Sequence, residues 1–382
     1  MMAAYLDCNA TTPLAPGVLD AMLPYFDEAF FNSSSAAAAI LLNDDPVRGA
    51  RIEAAKLLGS RDFAEDITLT SGASEANSWV MSAFARPGVH VVLSRMEHPS
   101  LVRAARHAER SGAVVSWIGS DSDGVVSAEG LLDALRPETA LVSVMLANNE
   151  TGVIQPVRDL ARAVRERCGA LFHTDATQMV GRLPVDLMDD LAEVDLVSFS
   201  AHKFHGPKGI GALFARPGIA LPPIVHGEQE GGRRGGTYNT PAAAGLAEAA
   251  RVSSSRITAA AELIRGRRNG LETALLGLHA GWRVNGARAP RLPNTISLTM
   301  PGVDADDLVD RLAQAGVCIS TGSACSSGAE AASATLVAMG LSEADARSTI
   351  RISLSAYTTD DELAFFEERF RASMADMGGI VL

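Results

Sequence analysis

Lys203 stands in Ser200-Ala201-His202-Lys203-Phe204-His205-Gly206-Pro207-Lys208-Gly209, directly after the apolar run Val194-Asp195-Leu196-Val197-Ser198-Phe199. Such a run reads as a buried strand that ends in a loop, and a lysine at a strand's end can reach a ligand. Upstream, a second apolar run, Ala170-Leu171-Phe172-His173, ends in Thr174-Asp175-Ala176-Thr177-Gln178, so a carboxylate and an amide leave another strand at the same kind of position. An amine and a carboxylate so placed are what pyridoxal phosphate requires. Its aldehyde condenses with a lysine to a Schiff base, and its pyridine nitrogen needs a carboxylate to stay protonated, so that the ring can act as an electron sink. Lys203 and Asp175 fit those two roles. The plainer reading of each is a surface lysine and an aspartate that caps a helix after a strand.

Other residues extend the pattern. Gly72-Ala73-Ser74 lies between an apolar run and a helical segment, where free backbone N–H groups and the helix dipole favour a phosphate. Arg351, inside Ile350-Arg351-Ile352, is a charge in an apolar setting; a guanidinium there suits bidentate capture of an α-carboxylate, or else a buried structural salt bridge. His98 follows the run Val89 to Leu93, where a histidine can stack, move protons or simply complete a turn. Cys325 sits in Thr321-Gly322-Ser323-Ala324-Cys325-Ser326-Ser327-Gly328, a small polar loop that could carry a thiolate toward a substrate. The remaining cysteines, Cys8, Cys168 and Cys318, have apolar or structural neighbours and read as inert thiols. With no C-x-x-C pair and no histidine at zinc spacing, neither a disulfide framework nor a metal site is indicated.

The elements that must hold these residues follow from periodicity. Ile67–Thr70, Val89–Leu93, Ala113–Trp117, Leu141–Met145, Ala170–His173 and Val194–Phe199 read as strands that alternate with Ala- and Arg-rich helical segments. That alternation predicts an α/β domain with a mostly parallel sheet between two layers of helices. Ala242 to Leu276 reads as a long helix able to bridge two domains, and Asn43-Asp44-Asp45-Pro46 as a helix start. Beyond it, short strands at Asn294–Thr299, Val317–Ser320 and Ile350–Leu354 lie between helices at Asp304–Ala315 and Thr359–Met374, which predicts a smaller α+β domain. The stretch Asn32 to Leu42 has no clear period and reads as a loop. A chain of 382 residues, 47% apolar, suffices for about two domains. Its net charge of −12 argues against a nucleic-acid surface, which requires clustered Lys and Arg. No run approaches the roughly 18 apolar residues of a membrane span, and the N-terminus lacks a leader's basic and apolar regions, so a cytoplasmic protein is expected.

Taken together, the motifs Tyr5-Leu6-Asp7-Cys8-Asn9-Ala10-Thr11-Thr12, Thr70 to Asn77, Glu97-His98-Pro99-Ser100, Asn148-Asn149-Glu150-Thr151-Gly152, His173 to Ala176, Gln229 to Asn239, Arg291 to Thr295 and the Lys203 and Cys325 segments carry a resemblance. The chain resembles, nearly end to end, the pyridoxal-phosphate-dependent cysteine desulfurases of the NifS/IscS type, among the fold-type I, class-V aminotransferase-like enzymes. The resemblance implies a large cofactor-binding α/β domain, residues 14–258, with a seven-stranded type of sheet. Residues 1–13 and 259–382 would form the small domain that carries the catalytic cysteine loop. It implies Lys203, His98 and Cys325 as catalytic residues. Ala73, Ser74, Ser200, His202 and Thr237 would hold the phosphate, with Thr237 reaching it from the other subunit of a homodimer. Gln178 would bond the ring's phenolic oxygen, and Asn149 would lie near the ring and, with Arg351, near the carboxylate of the substrate, L-cysteine. Sulfur would pass to a persulfide on Cys325 and on to an acceptor or iron–sulfur scaffold protein. Two other readings fit the same residues: a related lyase such as one acting on selenocysteine, and a catalytically silent partner. The chain departs from the family pattern at Phe31, Ser33, Ala37 and Ile40, which stand for Gly, Pro, His and Gly, so the site's rim near residues 31 to 46 is expected to be rearranged.

Overall fold

The computed structural model describes residues 4–41, 45–322 and 332–377; Cys325 lies outside them. Seven strands, β1 (Ile67–Thr70), β2 (His90–Ser94), β3 (Val114–Ile118), β4 (Thr139–Ser143), β5 (Leu171–Asp175), β6 (Leu196–Ser200) and β7 (Gly211–Ala215), form one sheet in the order β1-β7-β6-β5-β4-β2-β3. Pairings from β6 across to β3 are parallel, and β7 alone runs antiparallel to both its neighbours. Because helices cover both faces, the central strands are buried along their lengths and their sequences are largely apolar. Successive residues still point to opposite sides: Val92, Val142 and Val197 join one apolar cluster, while Val91, Leu93, Leu141 and Leu196 join another.

The strand β7 was not legible as an apolar run, and the reason is packing. A Cβ on Gly211 would stand 2.4 Å from the Phe199 carbonyl oxygen and 2.7 Å from the Cα of Gly72, so only glycine lets β7 approach the turn after β1. Gly211→Ala is therefore expected to cost about 1–3 kcal/mol, as for overpacking in a tight core, measured as a lower midpoint of chemical denaturation.

The principal helices around the site are α1 (Ala73–Phe84), α2 (Pro99–Arg110) and α3 (Thr240–Leu276). α3 is one unbroken helix of 37 residues. Its first half buries Ala242, Leu246 and Ala249 against the large sheet's core, and its second half buries Ile264, Leu271 and Leu275 in a separate cluster with Leu298, Leu308, Ile352 and Phe366. That second cluster lies on an antiparallel sheet of β8 (Arg283–Val284), β9 (Thr295–Thr299), β10 (Ser320–Thr321) and β11 (Thr349–Ser353), ordered β10-β11-β9-β8. The N-terminal segment joins it: Ala4–Tyr5 pairs in parallel with Val317–Cys318, and Asp7 bridges to Ser353.

Side-chain caps set the starts of the helices at Pro46, which the sequence suggested, and at Asp360. Asp45 accepts from the Val47 and Arg48 amides, and Thr359 forms a capping box with Glu362. The loop expected over Asn32–Leu42 is corrected in part, because Ala36–Leu41 is helical. The Ser35 hydroxyl accepts from the Ala38 amide at 3.1 Å, and alanine's high helix propensity supplies the rest. No helix among the described residues is long and apolar enough to cross a membrane.

Candidate active site

The carboxyl ends of β2, β4, β5 and β6 face one edge of the sheet, and each is followed by a residue singled out above: His98, Asn149, Asp175 with Gln178, and Ser200 with Lys203. Open parallel sheets place ligands there, because the strand-to-helix turns converge at that edge. Asp175 is buried, and every hydrogen bond it makes is accepted: Oδ2 from Asn77 Nδ2 at 2.7 Å, Oδ1 from the Thr177 amide at 3.0 Å. Asn77 Nδ2 also donates to Ser100 Oγ at 2.9 Å, and Ser100 Oγ lies 2.8 Å from His98 Nδ1. The Ser100 amide donates to the same Nδ1, which makes it an acceptor and puts the ring's proton on Nε2. Burial holds His98 below the usual histidine range, so it is neutral at pH 7. Beneath this chain His173 is also neutral, its pKa pushed down by burial to about 4, and sits between Ser143 and Ser198.

Lys203 lies on the short turn Ala201–Lys203 after β6. Its Nζ donates to the carbonyls of Asn9 and Ala10, at 2.5 and 2.7 Å, so the N-terminal segment forms one wall of the site. Gln178 Nε2 donates to the same Asn9 carbonyl at 3.2 Å. Arg351 is buried; Nη2 pairs with Asp7 Oδ1 at 2.6 Å and Nη1 donates to the Asn149 carbonyl at 3.1 Å, while Nε has no hydrogen-bond partner among the described residues. The ion pair that the sequence left as Arg351's alternative is therefore present. Asn149 and Arg351 share a cavity of about 630 Å³ with Glu97, Glu150, Gly322 and Ala332, the last two being the described residues that flank the Cys325 segment. Glu97 adds a second buried carboxyl, raised by burial to about 8 although Ser94 and the Met145 amide both donate to it.

A second cavity, about 300 Å³, is lined by Gly72, Ala73, Ser74, Ser200, His202 and Lys208. Gly72 has φ +150°, and a Cβ there would stand 3.3 Å from Ser200 Oγ. The Ala73 amide donates to Ser200 Oγ at 2.7 Å. Burial, with Lys203 and Lys208 nearby, pushes His202 down to about 4, so it offers a neutral ring. Thr237 lies apart from this group, in an adjoining cavity that shares only Ser71 and Gly209 with it.

Comparison with known proteins gives this geometry its family. The Aminotransferase class-V family matches residues 4–366. A cysteine desulfurase of Cereibacter sphaeroides is 41% identical over 95% of this chain and 93% of that protein. The cysteine desulfurase IscS of Clostridium botulinum is 34% identical over 95% and 92%. The chain belongs to the cysteine desulfurases of the class-V aminotransferase family. Among solved structures, a NifS-like protein superposes with a TM-score of 0.89 at 34% identity, covering 98% of this chain and all of that one. A NifS-like protein from Rickettsia africae gives 0.88 at 29%, over 98% and 100%.

Like its family, this desulfurase depends on pyridoxal phosphate, and its residues suit the group. The cavity at the start of α1 offers hydroxyl, imidazole and helix-end donors for a phosphate, with Lys208 as a cation. Asp175 presents a carboxyl held by Asn77 and the Thr177 amide, and Lys203 an amine. Asn77, Lys208, Asp7, Asn9 and Arg182 contribute to the site without having been assigned a role from the sequence. All but Arg182 stand inside the motifs quoted above. For Arg182 the sole signal is its spacing, one helical turn after Gln178.

Proposed function

We propose that the enzyme removes sulfur from L-cysteine, leaving alanine and a persulfide on Cys325, and passes that sulfur to an acceptor protein for iron–sulfur clusters or another thio-cofactor. What supports this reading above all is the convergence of Lys203, Asp175 and the Asp175–Asn77–Ser100–His98 chain at one sheet edge, beside a cavity lined by Gly322 and Ala332, the described residues on either side of Cys325 in the sequence. When bound, the cofactor supplies an electron sink that loosens bonds at the substrate's α- and β-carbons. Asp175 would pair with the ring nitrogen, and Asn77 and the Thr177 amide hold its carboxyl in place. Ala73, Ser74, Ser200 and His202 hold the phosphate, with Thr237 completing that site across a homodimer. Gln178 bonds the ring oxygen.

Lys203 would hold the cofactor, and its amine would carry protons to and from the substrate's α-carbon. His98, with its hydrogen on Nε2, is the second proton carrier. Arg351 and Asn149 bind the substrate carboxylate. The Cys325 thiolate then attacks the substrate sulfur: an S–S bond forms, the carbon–sulfur bond breaks, and the carbon fragment keeps the electron pair and takes up protons to leave as alanine. We place the division between the domains as the sequence suggests, at 14–258 and 1–13 with 259–382, and the protein in the cytoplasm.

The experiment is mass spectrometry of the intact protein and its peptides after brief exposure to L-cysteine without reductant, with alanine measured alongside. One added sulfur on the Cys325 peptide and matching alanine are expected; alanine without that mass overturns the persulfide route. For the carboxylate site, Arg351→Lys keeps the charge facing Asp7 but loses the planar fork, and KM for cysteine is expected to rise about tenfold, with a smaller change in kcat. An unchanged KM removes Arg351 from substrate binding.

A further inference from the structure

Arg182 is a cation that the mechanism above does not use. It is 8% exposed and follows Gln178 by one turn. Its Nη1 donates to Gln178 Oε1 at 2.5 Å and Asn9 Oδ1 at 2.7 Å, and Nη2 donates to the Cys8 carbonyl at 2.8 Å. None of these acceptors is a carboxylate, so the charge is buried against neutral dipoles. The interior holds it at some cost: burial lowers Arg182 to about 10, and it stays charged at neutral pH. A buried cation without a counter-charge invites a functional explanation.

We infer that Arg182 is a positioning residue that acts through Gln178, holding the amide in one of its two orientations and placing a positive charge behind the cofactor ring. The inference rests on the site reading proposed above. With Oε1 bound to a guanidinium, the amide cannot flip, because its NH2 would then face N–H donors. Nε2 is left as the outward donor, beside the Asn9 carbonyl that also takes Lys203 Nζ. The groups that share Arg182's surroundings are the Cys8 thiol, Arg351 with Asp7, and, from the turn after β6, His202 and His205; Arg256 of α3 reaches His205 as well. Both histidines are pushed to about 4, so neither neutralises nor duplicates the Arg182 charge near pH 7. The consequence falls on the nitrogen of Lys203 when it carries the cofactor. A donor on the ring oxygen and a cation behind it both favour the unprotonated form of that nitrogen.

The test is a pH titration of the visible absorbance of the lysine-bound cofactor, without cysteine, in Arg182→Gln and Arg182→Lys beside the parent enzyme, with cofactor content measured for each. Arg182→Gln is expected to raise the midpoint by about one pH unit, the size of a nearby unit charge in a partly screened interior. Arg182→Lys, which keeps the charge, should stay near the parent value. Gln178→Leu leaves Arg182 in place and removes the relay; it must also raise the midpoint, which keeps the inference testable if Arg182→Gln does not fold. An unchanged midpoint in Arg182→Gln or in Gln178→Leu, with full cofactor, overturns the inference and leaves the site reading standing. If the titrating band persists in Lys203→Ala, the site reading falls, and this inference falls with it.

Discussion

Lys203→Ala is expected to fold and to lose both the visible absorbance of lysine-bound cofactor and alanine release, the latter by at least about a thousandfold. The fold survives because the side chain's structural duties are small. It donates to the Asn9 and Ala10 carbonyls, and such bonds are worth about 1 kcal/mol each in net stability. Those carbonyls keep other donors or water once the amine is gone; Asn9 O retains Gln178 Nε2. The chemical loss is large because, among the described residues, no other amine stands at the same sheet edge in the same relation to Asp175. Lys208 lines the separate cavity at the start of α1. Absorbance spectra and alanine assays on one preparation check both halves. A variant that kept the band would show that Lys203 is not the anchor.

Cys325→Ser should separate cofactor chemistry from sulfur transfer. The variant is expected to take up pyridoxal phosphate and to bind cysteine with little change. Its turnover should fall by at least about a thousandfold, with no added sulfur in the intact mass, because a hydroxyl is not ionised at neutral pH and does not attack sulfur as a thiolate does. Cys8 is a poor substitute, since burial raises its thiol to about 11, and Cys318 is also raised by burial. Undiminished turnover in Cys325→Ser would assign sulfur removal to another route.

What the sequence disclosed, and what it did not, follows from range. The parallel strands were legible because burial on both faces makes them short, largely apolar runs, and their ends could then be read as the place for Lys203 and Asp175. The long helix α3 was legible from composition, and the helix beginning at Pro46 from its Asp-Pro start. β7 was missed because Gly211 answers to a neighbour distant in the chain, the turn at Gly72. Ala36–Leu41 was missed because alanines alone carry no periodicity. In the site, residues whose chemistry is their own were named, and residues that act by holding another were not. Asn77 has meaning only once β5 and α2 stand on either side of it, and Asp7 only once it meets Arg351 across 344 positions of sequence.

The N-terminal segment gives this architecture an unusual keystone. Ala4 and Tyr5 pair with Val317–Cys318 and Asp7 bridges to Ser353 of the smaller sheet, yet two residues further on the same strand of chain turns its carbonyls to Lys203 and Gln178 and the Asn9 side-chain amide to the Asn149 carbonyl. The segment that pairs with the smaller sheet thus continues, within a few residues, into the wall that meets the reactive amine. Trimming the first residues, or fusing a bulky partner close to Ala4, would therefore act on the chemistry at Lys203, 194 positions from Asn9 in the chain.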